Sequence, residues 1–413
     1  MYRLWILFFG LTIVTLSATS IDIVEHAERR YQNRTLIFAS LGTLIDVLQH
    51  PRYIPAKDRS YIHIQENDKY IYLIFSPVVI TSHKEYSRGT YIIRRTKKGG
   101  AFSQIKILLT ADGKMAIRIF PYQSGVRIQG SKLFERKSVY LPIRFESILL
   151  MSFKQFRDQT AYLIDWNLLF PDYSDPQYEI MGKMVASLRA HIANLPDRND
   201  GAMDEQGNFV YINTLLSQDR DYGFNCSGFA KWVIDGVYLS KYGKMLSIDD
   251  LKTKYPTERG TRLGLLFDDS RDPYFGLDWS RNLASQIRGI QYRNNSGIDV
   301  NDIPLIHYYE DIGYEVKKLG SVLYWLAVKE PGNMYVGSVN KEFGKDPVLR
   351  QHVHVVVLLP YFDRQGKFHP VVLERNRESS VGSLISRYNG DFIHLVRVPI
   401  SNGFSPPSVP SKQ

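Results

Sequence analysis

A single cysteine, Cys226, limits how this chain of 413 residues can hold itself together. Without a second thiol no disulfide can form within the chain, so the fold must rest on apolar packing and hydrogen bonds. Hydrophobic residues make up 44% of the sequence, which is enough for a large core divided over two or three domains. Cys226 itself is therefore either an inert core residue or a reactive thiol.

The N-terminus has the pattern of an export signal. Arg3 precedes an apolar stretch from Leu4 to Leu16, and Ala18-Thr19-Ser20 supplies small residues for cleavage. Because the apolar stretch is shorter than the roughly 20 residues that cross a bilayer, we predict a cleaved signal over residues 1–20 and no stable transmembrane anchor. The mature chain would then work in a periplasm, in the cell envelope or outside the cell.

The formal net charge of +10 favours contact with anionic polymers or surfaces, such as cell-wall material. The densest basic run, at residues 94–98, precedes Gly99-Gly100 and is typical of a solvated hairpin tip. No DNA-reading motif accompanies this run, and export also argues against nucleic acid. We therefore expect an envelope partner and no nucleic acid.

Residues 21–173 read as a β-rich N-terminal domain with a short helical start. The run from Tyr70 to Phe75 is aromatic and β-branched, and Ile105 to Thr110 faces Met115 to Phe120 across Asp112-Gly113, a strong hairpin signal. These patterns predict a small sheet or barrel. The domain carries no recognisable chemistry, so it is either structural or a module for substrate binding or localisation.

A Pro- and Asp-containing segment at residues 170–176 marks the predicted domain boundary. The second domain then spans residues 174–400 and begins with a helical apolar stripe from Ile180 to Leu195, which Pro196 ends. Serines and prolines near the end of the chain predict a disordered tail over residues 401–413.

Cys226 lies where an irregular segment becomes a helix that presents Phe229, Val233 and Val237 on one face. The first amides of a helix lack internal partners and its N-terminus carries partial positive charge, so a thiolate is favoured there. A thiol with a lowered pKa is the nucleophile that cysteine catalysis requires.

A hairpin near the C-terminus offers a base for this thiol. On its first strand His352 and His354 are expected to share an orientation, and its second strand carries His369, Glu374 and Asn376. Positions 374 to 376 fall opposite His354 if the turn lies midway between the strands. We choose His354 over His352 because it lies deeper in the apolar strand, and we rank Glu374, Asn376 and His369 in that order as the third group.

The same hairpin allows a different site. His352 and His354 with His369 and Glu374 could hold zinc, since two imidazoles two apart on a strand can share a metal. A zinc site would leave the helix that opens at Cys226 unexplained, so we expect no metal and no cofactor. The sequence has no phosphate-binding loop of Walker type, no dinucleotide fingerprint and no Gly-x-Ser-x-Gly elbow.

The segment Gly223-Phe224-Asn225-Cys226-Ser227-Gly228-Phe229 resembles the nucleophile motif of the NlpC/P60 cell-wall peptidases. Three further segments resemble the family in its own order: Phe209-Val210-Tyr211, Pro331 to Val336, and the histidine strand that begins at His354. The resemblance implies an α+β, papain-like domain in which the cysteine-bearing helix packs on an antiparallel sheet.

The same resemblance implies an exported cysteine hydrolase that cleaves amide bonds in the stem peptides of peptidoglycan. Cys226 would attack the carbonyl, His354 would shuttle the proton and Glu374 would orient the imidazole. Tyr211 would donate to the developing oxyanion beside the Cys226 amide, or else serve only as an aromatic packing residue.

Two features depart from the family pattern. Asn225 and Asn333 stand where aspartates are usual. Cys226 and His354 are also farther apart than in compact members, so residues 238–329 look like an insertion. Two alternatives therefore stay open: a related hydrolase or acyltransferase acting on lipid or other amide and ester bonds, and a catalytically silent envelope protein that binds or acts as a scaffold.

Overall fold

The computed structural model describes residues 25–50, 54–79, 87–109, 116–129, 139–168, 171–219, 221–254, 272–293, 296–304, 306–344 and 349–409. The predicted export signal at residues 1–20 lies outside these ranges. Within them, the structure contains no helix with the length and apolar character needed to cross a bilayer. The described residues divide into two compact units between Asp172 and Tyr173.

The first unit is built on a seven-stranded antiparallel sheet whose strands follow one another in chain order, with β1 and β7 at the two edges. The strands are Ile62–Glu66 (β1), Tyr70–Phe75 (β2), Tyr91–Thr96 (β3), Phe102–Leu108 (β4), Ala116–Tyr122 (β5), Gly125–Gln129 (β6) and Val139–Leu141 (β7). The helices are Ala27–Gln32 (α1), Arg34–Ile37 (α2), Leu41–Gln49 (α3), Phe145–Leu150 (α4) and Phe153–Thr160 (α5). The predicted pairing of β4 with β5 is confirmed, with Ile105 opposite Ile119, while its turn lies outside the described residues.

The basic run at residues 94–98 covers the end of β3 and the start of its turn into β4, where Gly99 and Gly100 have positive φ angles of 84° and 69°. The expectation of a solvated basic run is wrong for Arg95, which is 8% exposed. Its guanidinium donates to the carbonyl oxygens of Ile37 and Ala39 at 3.2 and 2.6 Å. Arg95 is buried because it satisfies backbone carbonyls that would otherwise lack donors.

The second unit is a six-stranded antiparallel sheet in the order β10-β15-β11-β12-β13-β14, with a two-stranded sheet of β8 and β9. The strands are Ala202–Met203 (β8), Phe209–Val210 (β9), Tyr314–Glu315 (β10), Asn333–Phe343 (β11), Leu349–Phe362 (β12), Phe368–Glu374 (β13), Arg377–Ser379 (β14) and Phe392–Pro399 (β15). The helices are Pro176–Ile192 (α6), Cys226–Tyr242 (α7), Ile248–Leu251 (α8), Phe275–Arg288 (α9), Leu319–Lys329 (α10) and Val381–Arg387 (α11). The predicted α+β class with antiparallel sheets is confirmed.

Both faces of the larger sheet are covered. Val355 and Val357 of β12 point to one face, where they share a core with residues of α6, α7 and α9. Val356 and Leu358 point to the other face, where they share a core with α10 and α11. The alternation from Val355 to Leu358 fixes which side each of these four side chains reaches.

The segment predicted to be an insertion contributes directly to the first of these cores. Helix α9 lies within residues 238–329, and its Trp279, Leu283 and Ile287 are almost fully buried among residues of α7 and the sheet. At least this part of the segment is therefore integral to the unit rather than an addition at its surface.

The prediction of a disordered tail is wrong for residues 401–409, while residues 410–413 lie outside the described residues. Phe404 packs against Gly236 of α7, where a Cβ atom would come within 2.6 Å of the phenyl ring. The indole of Trp232 donates to the carbonyl oxygen of Pro407 at 2.9 Å. The proline-rich composition did not reveal that this segment is held by apolar packing and by hydrogen bonds to α7.

Candidate active site

Cys226 is the first residue of α7, where the unpaired amides of the helix begin. The side chain of Asn225 caps the helix by accepting from the Gly228 N–H at 2.8 Å, and its carbonyl accepts from Phe229 N–H. In the described part of the chain, the amides of Cys226 and Ser227 have no such backbone partner. A negative charge on the sulfur therefore lies within the positive end of the helix.

Steric crowding requires a glycine at the third position of the Cys-Ser-Gly segment. A Cβ atom on Gly228 would lie 1.9 Å from the carbonyl oxygen of Gly201. That carbonyl accepts from the Asn225 amide at 3.1 Å. The close approach of the two backbones therefore fixes the position of Asn225. Any side chain at position 228 would displace the turn that carries Cys226.

The Cys226 thiol lies beside the part of the β12 edge that β13 leaves unpaired. Strand β13 turns back into β14 through Arg375 and Asn376, which have φ angles of 30° and 64°, as a two-residue hairpin turn of mirror-image type requires. β13 pairs with β12 only from Val357 onward. The backbone of Val355, just beyond that pairing, is hydrogen-bonded to the sulfur of Cys226 instead.

His354 links the thiol to a carboxylate. Its Nε2 lies 2.7 Å from Oε2 of Glu374, and its ring is also hydrogen-bonded to Cys226. Because Nε2 faces the carboxylate, Nδ1 is the nitrogen left to face the sulfur. The structure thus brings together Cys226, His354 and Glu374, the three residues that the sequence ranked first for these roles.

The three groups favour a charged arrangement. Burial alone would raise the pKa of the Cys226 thiol, but hydrogen bonds with His354, the Val355 backbone and Ser227 hold it below its ordinary value. Burial likewise opposes a charge on His354, yet its bonds to Cys226 and Glu374 raise its pKa to about 9. Both shifts favour a thiolate beside an imidazolium over a neutral thiol beside a neutral imidazole.

Glu374 is held as a carboxylate by more than the imidazole. It is 1% exposed, and although burial favours its neutral form, bonds with His354, Ser379 and Arg387 lower its pKa to about 2. Arg387, the last residue of α11, donates to Oε1 and leaves Oε2 to His354. Tyr388 stacks on the imidazole with ring centroids 6.0 Å apart. Neither support could be predicted from the sequence, because Arg387 and Tyr388 lie at the end of a separate helix.

His352 does not share the orientation of His354, contrary to the alternation that we expected. His352 pairs with Asn340 and His354 with Val339, so Val353 is an extra residue that forms a β-bulge. His352 consequently faces the opposite side of the sheet, where its Nδ1 lies 2.8 Å from Ser338 Oγ. Burial and nearby cations keep its pKa well below the usual range, so it is neutral, and no contact between His352 and Cys226 is found among the described residues.

The bulge also separates the imidazoles of the alternative zinc site. His369 is farther away still, at the other end of the hairpin, where it contacts Asp363 at 2.8 Å and stacks on Tyr361. No group of three or more His, Cys, Asp or Glu side chains in the described ranges is arranged to hold a metal ion.

Asn376 and Tyr211 make contacts different from those that we predicted from the sequence. Asn376 donates to the carbonyl oxygen of Pro196 at 2.6 Å and so fastens the β13–β14 turn to the segment before Cys226. The hydroxyl of Tyr211 accepts from Arg198 at 2.6 Å, and no contact with Cys226 is found among the described residues. The described geometry therefore does not support the predicted oxyanion role of Tyr211.

Trp279 lies in the segment that we predicted to be an insertion, and it supports the first turn of α7, which carries Cys226. Its indole donates to the carbonyl oxygen of Ser227 at 3.0 Å, and its ring is fully buried. The signal for this contact in the sequence was only an apolar helical pattern, because a hydrogen bond between residues so far apart depends on the packing of α9 against α7.

Alkylation of Cys226 by iodoacetamide is expected to depend weakly on pH between 6 and 8. An ordinary thiol loses about tenfold in reactivity for each pH unit below its pKa, whereas a thiolate stabilised by His354 keeps its charge. Because Cys226 is the only cysteine, mass spectrometry of the intact chain reports this one site. A tenfold fall per unit across that range would contradict the ion pair.

Comparison with known proteins bears on the first unit alone. A family model described as a domain of unknown function, DUF8515, matches residues 20–168. No curated protein and no solved structure matches the chain. The match ends before the unit that holds Cys226, His354 and Glu374, so the chemistry of that unit must be argued from its own geometry.

Proposed function

We propose that this chain is an exported thiol hydrolase whose second unit is a papain-like domain of NlpC/P60 type. The observation that carries the proposal is the contact chain from the Cys226 sulfur through the His354 ring to Glu374. A helix that opens at the nucleophile, an antiparallel sheet that carries the base and a carboxylate that fixes the ring together meet the requirements of cysteine catalysis.

The reaction follows from the charge state of the site. The thiolate of Cys226 attacks the carbonyl carbon of the substrate amide and forms a carbon–sulfur bond, while the Cys226 amide stabilises the oxyanion. The His354 imidazolium then gives its proton to the leaving nitrogen, and the carbon–nitrogen bond breaks. Water, deprotonated by the now neutral His354, attacks the thioester and restores the thiolate.

The proposed substrate is an amide bond in the stem peptides of peptidoglycan. Two features support it: the Cys-Ser-Gly segment with its companions in the NlpC/P60 order, and the excess of basic residues in a chain with the pattern of an export signal. Stem peptides carry carboxylates, so they match this charge balance.

Purified sacculi incubated with the chain are expected to release peptide fragments with new amino and carboxyl termini. Pretreatment with iodoacetamide should abolish the release, since Cys226 is the only thiol that the reagent can modify. Undiminished release by the alkylated chain would refute the thiol mechanism. Rapid alkylation without any release would refute the substrate while leaving the reactive thiol in place.

A further inference from the structure

The outward face of the first unit's sheet carries an unusual combination of side chains. The inward residues of β4 and β5, such as Ile105, Ile107 and Ile119, are fully buried. Strand alternation points the residues between them outward. Six of the outward positions of β4 to β7 form what we call the basic-aromatic face: Lys106, Arg118, Phe120, Tyr122, Arg127 and Tyr140.

The cations of this face lie close together. Lys106 and Arg118 are direct cross-strand neighbours, and the proximity of Arg118, added to burial, lowers the pKa of Lys106. Like charges directly opposite each other destabilise a sheet. Strands β4 to β7 contain no Asp or Glu at any position. Lys106 and Arg118 have no hydrogen-bond or ion-pair partner in the part of the chain that the structure describes.

Arg127 extends the basic strip toward the aromatic residues. It is opposite Phe120 on one side and Tyr140 on the other, and its guanidinium lies 5.3 Å from the centroid of the Phe120 ring. Its Nε is buried without a hydrogen-bond partner among the described residues. An unsatisfied buried donor on a cation is unfavourable unless an acceptor is supplied from outside.

The aromatic part of the face is exposed and fixed in position. Tyr122 and Tyr140 are 44% and 42% exposed, and their rings meet edge to face with centroids 5.8 Å apart. The Tyr140 hydroxyl lies 3.2 Å from Ser124 Oγ. Exposed aromatic rings with polar edges offer an apolar surface and hydrogen-bonding groups to the same ligand.

We propose that the basic-aromatic face binds an anionic polysaccharide, with its acidic groups on Lys106, Arg118 and Arg127 and a sugar ring on Tyr122 and Tyr140. Successive bases of a nucleic acid stack on separate parallel platforms, which rings at 73° to each other do not provide. A sugar ring needs only one aromatic surface with hydroxyl partners beside it. This binding is independent of the thiol chemistry in the second unit.

Binding of the full chain to polygalacturonate at 0.15 M salt tests the proposal, with dextran as the neutral polymer. Lys106→Gln combined with Arg118→Gln should weaken binding about tenfold, because two ionic contacts with carboxylates of the polymer are lost, as when a protein loses contacts with phosphates. The pair Lys57→Gln and Lys98→Gln removes the same charge from exposed positions of the same unit and should leave binding unchanged. Tyr140→Ala should also weaken binding, at constant charge.

The Lys106→Gln, Arg118→Gln variant removes adjacent like charges, so its melting temperature should be no lower than that of the unmodified chain. Equal weakening by the two double variants would show attraction by net charge alone and overturn the proposal. It is also overturned if dextran binds equally well, or if oligothymidine or phosphatidylglycerol vesicles are retained and polygalacturonate is not.

Discussion

Replacing His354 by glutamine is expected to lower hydrolysis at pH 7 by about a thousandfold. The variant loses both the group that protonates the leaving nitrogen and the cation that holds Cys226 as a thiolate. Burial then raises the pKa of the thiol, so the midpoint of its alkylation should move to higher pH. The helix amides and the Val355 backbone remain, which leaves a residual activity above that of the alkylated chain.

His352→Gln is the matched control, because it removes an imidazole two positions away on the same strand. His352 faces Ser338 on the opposite side of the sheet, so its loss should leave the alkylation profile of Cys226 unchanged. Thermal unfolding of both variants separates lost chemistry from lost structure. If His352→Gln abolished the reactivity in a folded chain, or His354→Gln preserved it, the assignment of the base would be wrong.

The unmodified site has its own dependence on pH. His354 has its pKa raised to about 9, so the imidazolium that protonates the leaving group is present below that value and is lost as the pH rises through it. Glu374, with its pKa lowered to about 2, stays ionised over the whole working range. Activity should therefore fall as the pH rises through about 9, and both limbs of the profile belong to the coupled pair of Cys226 and His354.

The sequence was sufficient to identify the hairpin partner of His354 because register follows from symmetry about a turn. β12 and β13 pair so that Val357 is opposite Leu373, which places Glu374 diagonally beside His354. The position of Cys226 at a helix start could likewise be inferred from the sequence, and the amides at the first turn of a helix are unpaired in any protein.

The orientation of His352 could not be inferred in the same way. A β-bulge at Val353 depends on how β12 pairs with β11, and no residue type in this part of the strand predicts it. The supports from Trp279, Arg387 and Tyr388 also join elements that are distant along the chain. Periodicity predicts which face of a helix is buried, but it does not reveal what that face meets. Gly236 in the interior of α7 was the one available sign that Phe404 packs there.

Lys231→Met is expected to destabilise the second unit by about 3–5 kcal/mol, because it leaves a buried carboxylate without its counter-ion. Lys231 and Asp235 are both 0% exposed within α7, and their side chains meet at 2.7 Å. Asp235 also accepts from the Leu246 amide at 2.8 Å, which a neutral asparagine could still do. The combination of Lys231→Met with Asp235→Asn should therefore recover most of the lost stability.

Lys183→Met is the matched control for this test, since Lys183 and Glu179 have the same four-residue spacing on α6 but are 75% and 48% exposed. Its effect should be only about 0–0.5 kcal/mol. Hydrogen exchange of α7 amides in urea measures the stability of this unit. Burial already raises the pKa of Asp235, and removing Lys231 raises it further, so the deficit of the single variant should shrink as the pH falls and the carboxylate is protonated. A deficit that is the same at pH 5 and pH 7, or that the second substitution does not relieve, would mean that lost packing rather than the unpaired charge destabilises α7.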